Sequence, residues 1–422
     1  MGKDEDEKFI EDDGSDPLYP CCIGKGAAIC FYYEDLWTES GEEEQNGKES
    51  QMPEVAIVES EGYEDVEEKV KETINLIGGR GLKLKGTVVI KPNAGSPLPI
   101  KRAANTHPSV VSAVVELVRD HASEVIVVER DAIAAPADVC LARSGIAEAV
   151  ARSGGELRIL DDDPKVRVNI DGKRLKEINL PKTLTEYDLL IDLPKLKTNS
   201  FTNLTLGIKN LMGLLDKSDR RKIHRMDISQ ALVDLLKVIK PDLTLIDGIQ
   251  AMEGQGPVFG DVVDMGVLIA GKDIVATDAV ASYVAGFYPE EIDTTRIAAW
   301  EGIGTCSIED IKIVGSRIED VRRALKRPLS TIEAMYSNVD VYMGGACKGC
   351  YDPLMVVFES FRLKGELEKV GKITVIMGRD APIPDSFGDK TLIVGDCAEE
   401  HKEKGIFIKG CPPLLELFKF RL

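Results

Sequence analysis

The feature that most constrains this fold is an alternation along the chain. Short runs of β-branched and other apolar residues recur: "EVAIVES" (54–60), "GTVVIKPN" (86–93), "EVIVVER" (124–130), "YDLLIDLPK" (187–195), "DLTLIDGI" (242–249) and "MGVLIAG" (265–271). Between them lie stretches with apolar residues at spacings of three and four, such as "YEDVEEKVKETINLI", "HPSVVSAVVELVRDHA", "DVCLARSGIAEAVARSGG", "ISQALVDLLKVI" and "DIVATDAVASYVAGF". Pro108 suits the first turn of the second of these helices, where a missing N–H costs nothing. Strands this apolar, separated by helices of about 10–15 residues, predict an α/β fold. Its sheet should be mainly parallel, with helices on both faces.

From Asn338 the pattern restarts with "VDVYMGG", "KITVIMG", "KTLIVGD" and "GIFIKG", and a helix "PLMVVFESFRLKGELEKV" after the first. This predicts a smaller C-terminal α/β domain at 338–422 behind a main domain at 53–337. Residues 1–50 carry fifteen Asp/Glu against four Lys, a net of −11 out of −19 for the chain. Such a low-aromatic acidic segment cannot bury enough apolar surface to fold, so 1–52 is expected to be a largely disordered extension.

The same acidity excludes some functions. No basic stripe with interleaved aromatics appears, which argues against nucleic acid as a partner. No apolar run approaches the roughly 18–20 residues that span a bilayer, so no membrane partner is expected. The acidic start is unlike a signal peptide, and a cytoplasmic protein is expected. Nine Cys, an odd count, argue for reduced thiols and for metal binding over disulfides.

Four of those thiols follow apolar strands: Cys347 and Cys350 after "VDVYMGG", Cys397 after "KTLIVGD" and Cys411 after "GIFIKG". Strand C-termini of a parallel sheet share one edge, so thiols distant in sequence can converge there. A C-x2-C pair plus two single cysteines supplies the ligands of a [4Fe–4S] cluster or of a structural zinc. The glycine-rich surroundings favour the cluster. Buried core thiols are the plain alternative. A thioredoxin-type C-x2-C disulfide is disfavoured by the absence of an expected helix directly after Cys350.

The main domain gathers polar groups at its strand ends. "VVIKPN" places Lys91 and Asn93 there, "IDLPKLKTN" Asp192, Lys195, Lys197 and Asn199, and "LGIKNLMG" Lys209 and Asn210. "LTLIDGIQAMEGQGP" adds Asp247 and Glu253. Ligands of open α/β sheets bind in the crevice beyond the strand C-termini. Lysines there suit a small anionic metabolite, and Asp247 and Glu253 could move a proton or hold a divalent ion. The alternative is that the lysines are solvated loop residues and that Asp247 caps a turn beside Gly248. His107, before Pro108, and His224, in the basic "DRRKIHRMD", are candidate proton carriers. His121 and His401 read as surface residues.

Together "VVIKPN", "THPSVV", "LPKLKTNSFTNLTLGIKNLMG", "RKIH" and "DLTLIDGIQAMEGQGPVFGD", in that order, resemble the DUF362 family, whose members are often described as iron–sulfur cluster-binding proteins. The resemblance spans roughly residues 54–315. It implies that Lys91, Asn93, His107, Lys195, Lys197, Lys209, Asn210, His224, Asp247, Glu253 and Gly254 occupy the family's motif positions, and it implies no particular reaction. Asn199 stands where the family usually has His. The ferredoxin-like end of many members is replaced by the dispersed four-cysteine domain.

These readings converge on an iron–sulfur protein, with enzyme status open. Its strand-end lysines would hold a small anionic metabolite, and a C-terminal [4Fe–4S] cluster would exchange electrons with a partner. The alternatives are a redox-inert lyase or isomerase with zinc on the same cysteines, and a non-enzymatic carrier of metal or cluster.

Overall fold

The structure, a computed structural model, describes residues 52–79, 85–132, 135–200, 202–224, 227–328, 336–344 and 348–413, with 332 and 346. The expected disorder of 1–52 therefore falls almost wholly outside the described residues.

The main sheet is built from β1 (Glu54–Glu59), β2 (Thr87–Pro92), β3 (Glu124–Glu129) and β4 (Glu156–Ile159). A separate hairpin follows, β5 (Lys165–Asn169) and β6 (Glu177–Pro181). The sheet continues with β7 (Leu189–Leu193), β8 (Lys195–Asn199), β9 (Asn203–Thr205), β10 (Leu243–Glu253), β11 (Asp261–Gly271) and β12 (Lys312–Gly315). Its order is β12-β1-β11-β10-β7-β2-β3-β4, with β8 paired to β10 and β9 to β8. Along that eight-strand path only β11 runs against its neighbours. The predicted mainly parallel α/β sheet is thus observed, with one reversed strand.

Both faces of the central strands are covered, as their uninterrupted apolar character requires. Val88, Ile90, Val125, Val127, Leu189 and Ile191 point into one core, where they meet Val110, Val111 and Val114 of the helix Pro108–Arg119. The alternating residues Val89, Ile126, Val128 and Leu190 enter the opposite core with Leu232 and Leu235 of the helix Ile228–Leu235. Pro108 occupies the first turn of its helix, as expected. The stretch predicted as one helix over 138–155 is two, Ala137–Ser144 and Ile146–Ser153, because Gly145 takes φ 81° and turns the chain between them.

The four C-terminal strands form their own sheet, β13 (Val339–Met343), β14 (Ile373–Met377), β15 (Lys390–Val394) and β16 (Ile406–Ile408), parallel and in sequence order. The helix Lys348–Leu363 crosses from β13 to β14 and buries Leu354, Phe358 and Phe361 against the strands. It begins within the C-x2-C motif, so the expectation that no helix starts there is corrected. Its first turn contains Cys350.

β10 is the longest strand beside β11, and it serves two parallel partners in succession. It pairs with β7 at Leu243 and Thr244, then with β8 where Asp247 faces Lys195 and Met252 faces Lys197. β8 advances two residues while β10 advances five, so the register breaks between these pairs. Side chains fill that gap.

Candidate functional site

Lys195 and Asp247 are register partners in adjacent strands, and both are excluded from solvent. Lys195 Nζ donates to Asp247 Oδ2 at 2.8 Å and to the Tyr63 hydroxyl at 2.9 Å. Tyr63 in turn donates to Asp247 Oδ1 at 2.9 Å, and its hydroxyl accepts from Gln250 N at 3.2 Å. The backbone N–H groups of His107 and Ile249 also donate to Asp247, at 2.9 and 3.3 Å. Asp247 thus makes the local bond across Gly248 that a turn cap would make, but it does more than that. It is a mid-strand acceptor for four donors, which is what a buried carboxylate needs.

The His107 ring stacks on Tyr63 with centroids 3.6 Å apart and 11° between planes. It caps the helix Pro108–Arg119, its Nδ1 accepting from Ser109 N at 3.2 Å. Burial, only partly opposed by Asp247, lowers its pKa to about 4. Near neutrality the ring is uncharged, with its proton on Nε2.

Lys91, at the end of β2, is also buried and also matched. Its Nζ donates to Glu129 Oε2 at 3.0 Å and to Pro92 O at 2.5 Å. Glu129, the last residue of β3, accepts in addition from Ala94 N (3.0 Å) and Arg130 N (2.9 Å). Gly213 passes so close that a Cβ there would stand 3.1 Å from the Lys91 amine.

Lys197 differs. It is 5% exposed, and its Nζ donates to two neutral oxygens, Asn93 Oδ1 at 2.8 Å and Ala104 O at 2.6 Å. Burial, then the charges of Lys195, Lys209 and Lys91, lower its pKa to about 7. Because lysine only donates, Asn93 must present its oxygen to Lys197 and its amide to Asn210 Oδ1, 2.8 Å away. Asn210 passes the polarity on, donating to Asp192 Oδ1 at 2.7 Å. Asp192 is fully buried, and its Oδ2 has no hydrogen-bond partner. Burial raises its pKa well above the usual carboxylate value, against the lowering effect of the Asn210 hydrogen bond and the Lys91 charge.

The remaining expected residues are placed as follows. Lys209 is half-buried, with its Nζ 2.9 Å from Met212 Sδ. Glu253 ends β10, where it accepts from Lys326 N at 3.0 Å and pairs with Lys326 Nζ at 3.1 Å, away from the Lys195–Asp247 pair. His224 ends the helix Lys217–His224, and its side chain lies outside what is described. Asn199 accepts from Thr202 N and donates to Thr205 Oγ1, so it shapes the β8–β9 turn. Tyr63 and Glu129 were not anticipated. The acidic end of the apolar run "EVIVVER", beside a strand ending in lysine, was the readable sign of Glu129. Tyr63 lies in a loop and carries no such sign.

In the C-terminal sheet Cys347 lies outside the described residues. A Cβ on Gly395 (φ 92°) would stand 2.7 Å from Cys350 Sγ and 3.7 Å from Cys397 Sγ, so the two thiols approach one spot that only glycine leaves open. The loops after β15 and β16 are tied by Gly410 N to Asp396 Oδ1 (2.7 Å) and Asp396 N to Gly410 O (3.0 Å), which draws the Cys411 segment toward Cys397. Among the described residues no three metal-ligating side chains are yet grouped. Nor, among them, is any helix long and apolar enough to cross a membrane.

Comparison with known proteins places these residues in context. Residues 88–283 match the model of a family described as a domain of unknown function, DUF362. The thylakoid-associated protein sll1697 of Synechocystis sp. is 30% identical over 267 residues, covering 59% of this chain and 79% of that protein. A crystal structure of a Thermotoga maritima protein aligns with TM-score 0.36 at 14% identity, over 58% of this chain and 60% of that one. The lactate racemase apoprotein of Thermoanaerobacterium thermosaccharolyticum aligns with TM-score 0.38 at 13% identity, over 77% and 68% respectively.

Proposed function

The chain belongs to the DUF362 family, and from that premise we propose that it is an enzyme acting on a small anionic metabolite at Lys197, with a metal centre on its C-terminal cysteines. The observation that carries the first half is the company Lys197 keeps. Lys91 and Lys195 each have a buried carboxylate, whereas Lys197 donates only to Asn93 and Ala104. A substrate carboxylate would supply the missing charge at a site where a buried cation is otherwise costly.

An amine with a pKa near 7 can also accept and return a proton at working pH. Neutral His107, half-buried at the same edge, would donate from Nε2 to a substrate oxygen. Asp247 would orient Lys195 and Tyr63 without touching substrate. His224, the last residue of the helix Lys217–His224, remains a candidate proton carrier.

Cys347, Cys350, Cys397 and Cys411 would hold the metal, for which the convergence of two thiols at Gly395 is the structural support. A [4Fe–4S] cluster there would supply single electrons. The helix that carries Cys350 lies against Lys217–His224 of the main domain, which favours a role for the cluster near the crevice and exchange with an electron-transfer partner. A redox-inert lyase or isomerase with zinc in the same site is favoured by the proton-ready Lys197, which needs no electrons. The cysteine usage supports a cytoplasmic setting, while the relative's name associates that protein with thylakoids.

Two measurements test the proposal. Calorimetric titration with pyruvate or oxalate should show binding that Lys197→Met weakens by at least about tenfold, or 1.4 kcal/mol. The pH profile has a definite sign. The binding form is the protonated amine, so affinity should be full below about 7 and fall by about tenfold per pH unit above it. Equal binding by the variant, or a flat profile, removes Lys197 from the site. Anaerobically purified protein should contain about four irons and four sulfides per chain, lost in Cys350→Ser. One zinc in colourless protein would select the zinc reading, and metal-free protein would refute both.

A further inference from the structure

The same sheet edge carries a second set of charges, beyond β3 and β4, that the reading above leaves unused. Its carboxylates are all engaged. Asp131 accepts from Lys217 Nζ at 2.8 Å and from Ala137 N at 2.9 Å. Asp216 accepts from Lys165 Nζ at 2.9 Å, from the Ser218 hydroxyl and from Asp219 N. Glu129 is held by Lys91, as described. Asp161 Oδ2 accepts from Asp131 N at 2.8 Å, and its Oδ1 stands 3.6 Å from Arg130 Nε, beyond hydrogen-bond range.

Two arginines remain. Arg130 is 2% exposed and donates to the carbonyls of Leu214 and Leu160, both at 3.2 Å. Arg220, on the helix Lys217–His224, is 8% exposed and donates from Nη2 to Asp131 O at 2.5 Å. The Nε of each has no hydrogen-bond partner. Among the described residues no carboxylate is within ion-pair distance of Arg220, although it is nine-tenths buried; burial lowers its pKa, and the more distant charges of Glu129, Asp161 and Asp131 only partly offset that burial and the charge of Arg130. Arg130 has Asp161 at 3.6 Å, whereas Arg220 has no carboxylate in contact, and a buried guanidinium in that position carries a desolvation cost that a bound anion would offset.

We propose that Arg220, with Arg130 beside it, is a second anion subsite of the crevice and takes a phosphate-type oxyanion. The guanidinium fork matches such a group, and the two buried Nε–H donors without a partner are the ones it would satisfy. The proposal rests on the reading of the strand-end crevice as a substrate site and narrows it. The substrate would carry a phosphoryl group on the β3–β4 side in addition to the group held by Lys197.

Inorganic phosphate is the probe, titrated calorimetrically into the full chain. The expected result is one saturable site, weakened at least about tenfold in Arg220→Met and less in Arg220→Lys, which keeps the charge but not the fork. Lys197→Met should leave phosphate affinity unchanged while losing pyruvate. Ligand-free Arg220→Met should melt at or above wild type, because an uncompensated charge has been removed. Phosphate binding lost in Lys197→Met but kept in Arg220→Met would overturn the subsite and leave the Lys197 reading standing. Absence of saturable phosphate binding, or a marked drop in the melting temperature of ligand-free Arg220→Met, would also overturn it. Pyruvate binding unaffected by Lys197→Met would instead sink the Lys197 reading, whatever phosphate does.

Discussion

Asp247→Ala should lower the unfolding free energy by about 3–5 kcal/mol, the range seen when a buried ion pair loses one member. The carboxylate is fully buried and serves Lys195, Tyr63 and the N–H groups of His107 and Ile249. Alanine would leave the Lys195 amine with the Tyr63 hydroxyl alone and would leave the N–H of His107, the residue that caps the helix Pro108–Arg119, without its acceptor. Urea denaturation followed by circular dichroism measures the loss. Asp247→Leu combined with Lys195→Met should recover much of it, since removing both charges is far cheaper than removing one. A single variant within about 1 kcal/mol of wild type would mean that this pair contributes as little as an exposed one.

Glu129→Ala should cost a similar amount, about 3–5 kcal/mol, because Lys91 is as deeply buried as Lys195. The second consequence is at a distance. Glu129 helps to keep the Lys197 pKa up, against burial and three neighbouring lysines. Without its charge the Lys197 pKa should fall further, and the pH at which anion affinity declines should move down. Glu129→Gln separates the two effects. Its amide oxygen can still accept from Ala94 N, so stability should suffer less than with alanine while the pH profile still moves. Titration of pyruvate across pH reads the second effect, and urea denaturation reads the first. An unmoved profile would show that Glu129 and Lys197 are electrically independent.

The strands of the central sheet were legible because β2, β3 and β7 are buried on both faces and therefore written in uninterrupted Val, Ile and Leu. The hairpin β5–β6 was not, since "KVRVN" lies at the surface and its partner "EINLP" is only half apolar. β8 hid for a more telling reason. "KLKTN" is a fully buried strand carrying two lysines, a sequence no propensity would assign to an interior. Local rules break where charge has been placed deliberately. The residue types of the site were readable at the strand ends. Their pairing was not, because Asp247 meets Tyr63 across 184 positions and nothing in either segment announces the other.

The mismatch between β8 and β10 bears on how this site can change. Where β8 cannot follow β10, the N–H groups of Ile249 and Gln250 are received by the Asp247 carboxylate and the Tyr63 hydroxyl. Those side chains stand in for a missing stretch of ladder. Scaffold and reactive surface are therefore made of the same bonds, and the chemistry is inherited with the frame. A lineage that altered Tyr63 or Asp247 in search of another substrate would first need new acceptors for those two amides. Innovation is easier at Lys197, His107 and Arg220, whose side chains carry no such duty to the sheet.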